Sequence, residues 1–188
     1  AWLGPQDATR VLVTLSGTHG AEGFCGSGVQ AGWLDSGLAG EQGDDIAFMA
    51  VHAINPHGFA WLRRVTEDNI DLNRNFAHEW GCCGGSSGEA CSEIFRGPSP
   101  ASEPETRAYQ TWMEQVFPDQ WDPQPDADAT GVFIDVHSYG RLVLWPWGNI
   151  GELAPSWEGL ETLGRRLAAR TGGTPQQSFE LYPSDGTT

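Results

Sequence analysis

The chain has 188 residues, 39% of them hydrophobic, with 25 Gly and 12 Pro, and a net charge of −15 in which all ten basic residues are Arg. That is enough for one domain with its own core, and no apolar run reaches the length of a membrane span. So acidic a surface repels phosphate backbones and anionic lipid, which excludes nucleic-acid or membrane binding as the main activity. It points, if anywhere, to a secreted or extracellular setting. The chain opens in polar sequence, without Met and without the basic and apolar regions of a signal peptide, and so reads as a trimmed or partial chain.

In chain order, Arg10–Ser16 is a short β-branched apolar run that predicts a buried strand ended by Gly17. Residues 21 to 34 predict a helix weakened by glycines. Ile46–Ile54 predicts a second strand, stopped by Asn55-Pro56. A long irregular stretch, His57 to Pro100, follows; a connection of that length usually carries function. Ser102-Glu-Pro-Glu105 has the form of a capping box, opening a helix to about Phe117 whose face carries Ala108, Tyr109, Trp112, Met113 and Val116. A solvated Pro/Asp-rich connector is expected over Pro118–Thr130, then strands over Gly131–Val136 and Arg141–Trp145. Ser156 predicts the cap of a helix ending at Gly172-Gly173, and Ser178–Tyr182 a last strand. Strands alternating with helices give an α/β fold: a mixed, mostly parallel twisted sheet flanked by helices.

Three constellations carry chemistry. In Gly17-Thr-His19-Gly-Ala-Glu22, a strand-to-helix turn lets an imidazole and a carboxylate converge, and a catalytic zinc needs a third protein ligand from elsewhere. In Phe133-Ile-Asp-Val-His137, an imidazole ends an apolar strand, where ligands gather in open α/β sheets. In Asp71-Leu-Asn73-Arg74, a guanidinium suited to gripping a carboxylate stands beside an amide and a carboxylate that could orient an imidazole. Each alone also reads as ordinary structure: a turn His, a strand-end His, a polar turn. Their convergence would set them apart. His52, His57 and His78 read as structural, Trp145 and Trp147 as packing residues, and Cys25 as a small buried hydrophobe. Cys82, Cys83 and Cys91 share a Gly/Ser loop, where a disulfide to Cys91 is plausible.

Together with Asn55-Pro-His-Gly58, Trp80-Gly-Cys-Cys-Gly-Gly-Ser-Ser87, Cys91-Ser-Glu-Ile-Phe-Arg-Gly97 and Leu144-Trp-Pro-Trp-Gly148, these motifs resemble the M14-type zinc carboxypeptidases over nearly the whole chain. The first half looks nearer to a deacylase-like branch of that superfamily. The resemblance implies one zinc ion held by His19, Glu22 and His137, with Asp71 supporting His19. It implies that Asn73 and Arg74, with Arg63, bind the substrate, that Arg64 rather than Arg63 polarises the scissile carbonyl, and that Tyr182 closes over it. The implied activity is hydrolysis of the C-terminal peptide bond. The implied alternatives are deacylation of N-acyl amino acids, or binding without catalysis; either substrate carries a free carboxylate. The family's general-base Glu and its specificity residue would follow Thr188, so residues 1–188 read as one catalytic domain truncated at its C-terminal end.

Overall fold

The computed structural model describes residues 1–41, 43, 45–118 and 131–188. From residue 119 on, the expected Pro/Asp-rich connector lies outside them. The described residues gather into two compact units. One holds Ala1–Asp68 with 107–118 and 131–138, and the other holds Asn69–Thr106 and Tyr139–Thr188. None of the described helices is long and apolar enough to cross a membrane.

In the first unit β1 (Trp2–Leu3), β2 (Arg10–Ser16), β3 (Ile46–Val51) and β4 (Gly131–Val136) form a sheet of order β1-β3-β2-β4. β2 pairs in parallel with β3 and β4, and β1 is antiparallel to β3, so the sheet is mixed and mostly parallel. The β-branched and aromatic residues of β2 and β4 suit strands, and Val13 and Leu15, two apart and so on one face of β2, are fully buried. The chain leaves β2 through α1 (Gly23–Asp35) to β3 on one side, and β4 later pairs on the other side. The carboxyl end of β2 is therefore a topological switch point, where the crevice of an open α/β sheet opens.

β3 stops at Val51, short of the expected Ile54, because Ala53 adopts a positive φ of 49°. The Ile54 and Asn55 N–H groups then donate to the Ser16 and Gly17 carbonyls at 3.1 and 3.0 Å. The stretch expected to be irregular from His57 begins instead with a short helix, α2 (Pro56–Trp61). Asn55 accepts from the Gly58 N–H at 2.8 Å, Pro56 needs no donor in the first turn, and Leu62 ends the helix in the left-handed region. Gly20 and Gly58 meet backbone to backbone: a Cβ on Gly20 would lie 2.1 Å from the Gly58 carbonyl carbon. The capping-box segment leads into α3 (Pro104–Val116), from which Tyr109 meets Phe133 of β4 at 6.2 Å between ring centroids.

In the second unit β5 (Leu142–Trp145) pairs in parallel with β6 (Thr174–Gln177), and α4 (Trp157–Thr171) packs on both. Trp145 fills the notch over Gly164 of α4, where a Cβ would lie 2.6 Å from its ring. Gly172, at φ 73°, closes α4, but Ser156 stands at the N-cap without a side-chain capping bond. The strand expected over 178–182 is displaced to β6. Gln177 donates to the Trp147, Ile150 and Glu152 carbonyls, and Leu181 bonds back to Ser178, curling 178–180 into a 3₁₀ turn. Asn75, fully buried, ties the loop together: it donates to the Arg96 carbonyl and Ser102 Oγ and accepts from the Glu103 N–H.

Cys82 is bonded to its neighbour Cys83, and Cys91 is a free thiol, contrary to the expected pairing. Gly84 and Gly85, both at positive φ, turn the chain toward 183–185, where Cys83 N–H reaches Asp185. Cys25, expected to be buried, is exposed.

The two kinds of glycine separate in one experiment. Gly20→Ala should cost about 3 kcal/mol, at the upper end for overpacking, because backbone must move. Gly28→Ala in α1, where a Cβ meets nothing within 4 Å, should be neutral or gain up to about 1 kcal/mol. Equal denaturant midpoints for the two variants would contradict the close approach of Gly20 and Gly58.

Candidate metal centre

The turn after β2 is built to hold two donors still. Gly17, at φ 72°, turns the chain with only 2.9 Å between a would-be Cβ and the Ala53 Cα. His19 then opens the 3₁₀ turn Gly20–Glu22. The first N–H groups of a helical turn lack partners within it. Here Gly20 N–H donates to the Arg64 carbonyl at 3.2 Å and Ala21 N–H to the Arg63 carbonyl at 2.9 Å. Asn55 Nδ2 donates to that Arg64 carbonyl at 3.3 Å, so the Asn-Pro-His-Gly motif braces the turn.

His137 follows β4, whose register sets Ser16 beside Val136. The structure brings His19, Glu22 and His137 together. His19 Nδ1 lies 3.0 Å from Glu22 Oε1, His137 Nδ1 lies 3.1 Å from Glu22 Oε2, and the two Nδ1 atoms are 3.2 Å apart. A tetrahedron with bonds of about 2.0–2.1 Å has edges of roughly 3.3–3.4 Å, so two nitrogens and a carboxylate at these spacings suit zinc. Ser138 N–H donates to Glu22 Oε2 at 3.1 Å and fixes the carboxylate from behind. Glu79, Cys82 and Cys83 form the other cluster of metal-ligating side chains among the described residues, but its two sulfurs are spent on each other.

Asp135 and Thr18 complete the arrangement. His137 Nε2 donates to Asp135 Oδ2 at 2.9 Å, which leaves Nδ1 to face the other donors. Thr18 Oγ1 donates to the same Oδ2 at 3.0 Å. Neither residue stood out as functional in the sequence. Asp135 was findable: it is an ionisable residue in an apolar strand two positions before His137, hence on the same face. Thr18 was not, because its bond depends on the β2–β4 register.

The electrostatics follow from this geometry. Burial pushes the Glu22 carboxyl up, but hydrogen bonds from His137 and His19, with their charge, outweigh it and hold it well below the usual carboxylate range. Burial works against charge on His137 too, yet the Asp135 carboxylate, by charge and hydrogen bond, and Glu22 beside it raise the ring to about 10. Burial and the nearby Asp135 charge keep the Tyr109 phenol protonated far above its ordinary range.

The remaining candidates are placed as follows. In the first unit, Arg64 Nη1 lies 3.4 Å from Glu22 Oε1, and Arg63 braces the ligand turn through its carbonyl. In the second, Asp71 is fully buried and its Oδ1 accepts from the Asn73 N–H at 2.9 Å, capping the 3₁₀ turn Leu72–Arg74. Arg74 is buried; it donates from Nε to the Gly85 carbonyl at 2.6 Å, to the Asn73 carbonyl, and from Nη2 to the Tyr182 hydroxyl at 3.1 Å. Asn73 Oδ1 accepts from the Thr188 N–H at 3.0 Å. Among the other histidines, His52 bonds Ser27, His57 lies near Trp61, and His78 stacks on Trp147.

A family model described as "Protein of unknown function (DUF2817)" matches residues 1–140. A metallocarboxypeptidase A-like protein of Trichophyton verrucosum is 32% identical over 145 residues, 69% of this chain and 32% of its own length. Carboxypeptidase B of Astacus astacus is 29% identical over 160 residues, 76% of this chain and 48% of its own. The crystal structure of carboxypeptidase A from Helicoverpa armigera superposes with a TM-score of 0.79 at 22% identity, over 97% of this chain and 49% of that one, and so shares the fold. The chain thus spans a third to a half of the length of these relatives. With the family model matching residues 1–140, the chain belongs to the DUF2817 family, and it shares the carboxypeptidase A fold.

Proposed function

We propose that this chain carries the metal centre of a zinc metallocarboxypeptidase that hydrolyses the C-terminal peptide bond of peptides. The observation behind the reading is the set of donor atoms from His19, Glu22 and His137, spaced 3.0–3.2 Å apart at the carboxyl ends of two adjacent parallel strands. Zinc, when bound, supplies a Lewis acid for the scissile carbonyl and lowers the pKa of a water. The chain's own residues supply charge and substrate binding, while the general base implied by the resemblance would follow Thr188. Arg64, with a third of its side chain exposed (32%), sets a positive charge beside Glu22 and stabilises the oxygen on which negative charge develops. Arg74 binds the free carboxylate of the substrate with Asn73, and Arg63 adds positive charge. Arg74 Nε donates to the Gly85 carbonyl, so its guanidinium keeps its plane while Tyr182, half-exposed, moves off Nη2 to admit the carboxylate and then closes over the substrate.

The reading predicts that a blocked peptide with a free C-terminus is hydrolysed, that its C-terminal amide is not, and that a chelator abolishes the activity until zinc returns. Hydrolysis of N-acyl amino acids but of no peptide would replace the peptidase with a deacylase using the same donors. Activity indifferent to chelation would overturn the zinc assignment.

Arg74→Ala should raise KM for such a peptide by about 100-fold, the worth of a charge-assisted pair of roughly 3 kcal/mol. Hydrolysis of an ester without the carboxylate should change far less. Equal losses on the two substrates would remove Arg74 from the carboxylate site.

A further inference from the structure

We infer that Thr18 is a positioning residue for the metal centre, its hydroxyl locking the Asp135 carboxylate against His137; the inference rests on the zinc-centre reading above. Thr18 is 1% exposed, and its hydroxyl is aimed at Asp135 Oδ2, the oxygen that also accepts from His137 Nε2. A carboxylate offers only acceptors, so two donors converging on one oxygen fix both the rotation of the carboxylate and the tautomer of the ring. The ring then turns its Nδ1 toward Glu22 and His19. Thr18 also immediately precedes His19 in the chain, on the turn that Gly17 begins. One side chain therefore ties the backbone that carries one ligand to the carboxylate that orients another, 117 residues away. The tie exists because β2 and β4 are neighbours in parallel register, with Leu15 beside Asp135.

What the site requires at position 18 is a hydroxyl, not its methyl group. Valine keeps the shape and the β-branch of threonine but removes the donor, and serine keeps the donor but removes the methyl. Removing the outer partner of a ligating histidine typically costs about 10–100-fold in metal affinity.

The test is zinc affinity, measured by competition with a chromogenic chelator in the intact protein. It compares wild type, Thr18→Val, Thr18→Ser, Asp135→Asn and the Thr18→Val/Asp135→Asn pair, with the melting temperature of each metal-free variant alongside. Thr18→Val should lose about 10-fold with its melting temperature little changed, and Thr18→Ser should stay within about 2-fold of wild type. The double variant should bind no more weakly than Asp135→Asn, because the hydroxyl acts only through that carboxylate. Wild-type affinity in Thr18→Val, equal loss in Thr18→Ser, or fully additive losses in the pair would each overturn the assignment. If Thr18→Val does not fold, Thr18→Ala takes its place with the same expectations. Wild-type protein that takes up no zinc would instead overturn the metal-centre reading, and this inference with it.

Discussion

The site depends on the parallel pairing of β2 with β4. Parallel strands end on the same edge of a sheet, and here the register puts Ser16 beside Val136. The residues just past those two ends are therefore neighbours, although more than a hundred positions separate them. His19 and His137 owe their 3.2 Å approach to that pairing, as does the Thr18–Asp135 bond. A shift of one residue would turn Asp135 and His137 to the opposite face and dissolve the site.

Holding the donors still is a separate problem, and backbone solves most of it. The ligand turn is short, and its first N–H groups are taken by the Arg63 and Arg64 carbonyls. Those carbonyls are in place because Asn55 caps α2 with one side-chain atom and reaches Arg64 with another. Glycine at 20 and 58 lets the two segments touch. Electrostatics adds the remainder: Glu22 stays ionised between two imidazoles, and each of those rings faces a carboxylate. The chemistry of this donor set suits a divalent cation, while the acidic character of the whole chain is a more diffuse property.

Much of this was legible in the residues. β2 and β4 were readable to their ends because each is a short apolar, β-branched run bounded by polar or turn-forming residues. The proposed ligands His19 and His137 stood out because both imidazoles follow the ends of such runs. What was not legible depended on conformations with no pattern of their own. Ala53 at positive φ ended β3 early, and Asn55 made a helix inside a stretch that looked irregular. Phe179 and Leu181 suggested a strand, yet a chain of bonds from Gln177 and Ser178 curls that segment. The vicinal Cys82–Cys83 bond stands in place of the expected pairing to Cys91, and no sequence pattern distinguishes the two. Asp135 is the instructive miss: its position two before His137 carried the information, and a charged residue in an apolar strand is the signal for it.

The proposed function requires one divalent ion among His19, Glu22 and His137. Crystals of the intact protein grown with zinc, measured on both sides of the zinc absorption edge, test it directly. A single strong anomalous peak is expected at about 2.0–2.2 Å from the two Nδ1 atoms and a Glu22 oxygen. A peak bound elsewhere, or three side chains splayed apart around none, would contradict it.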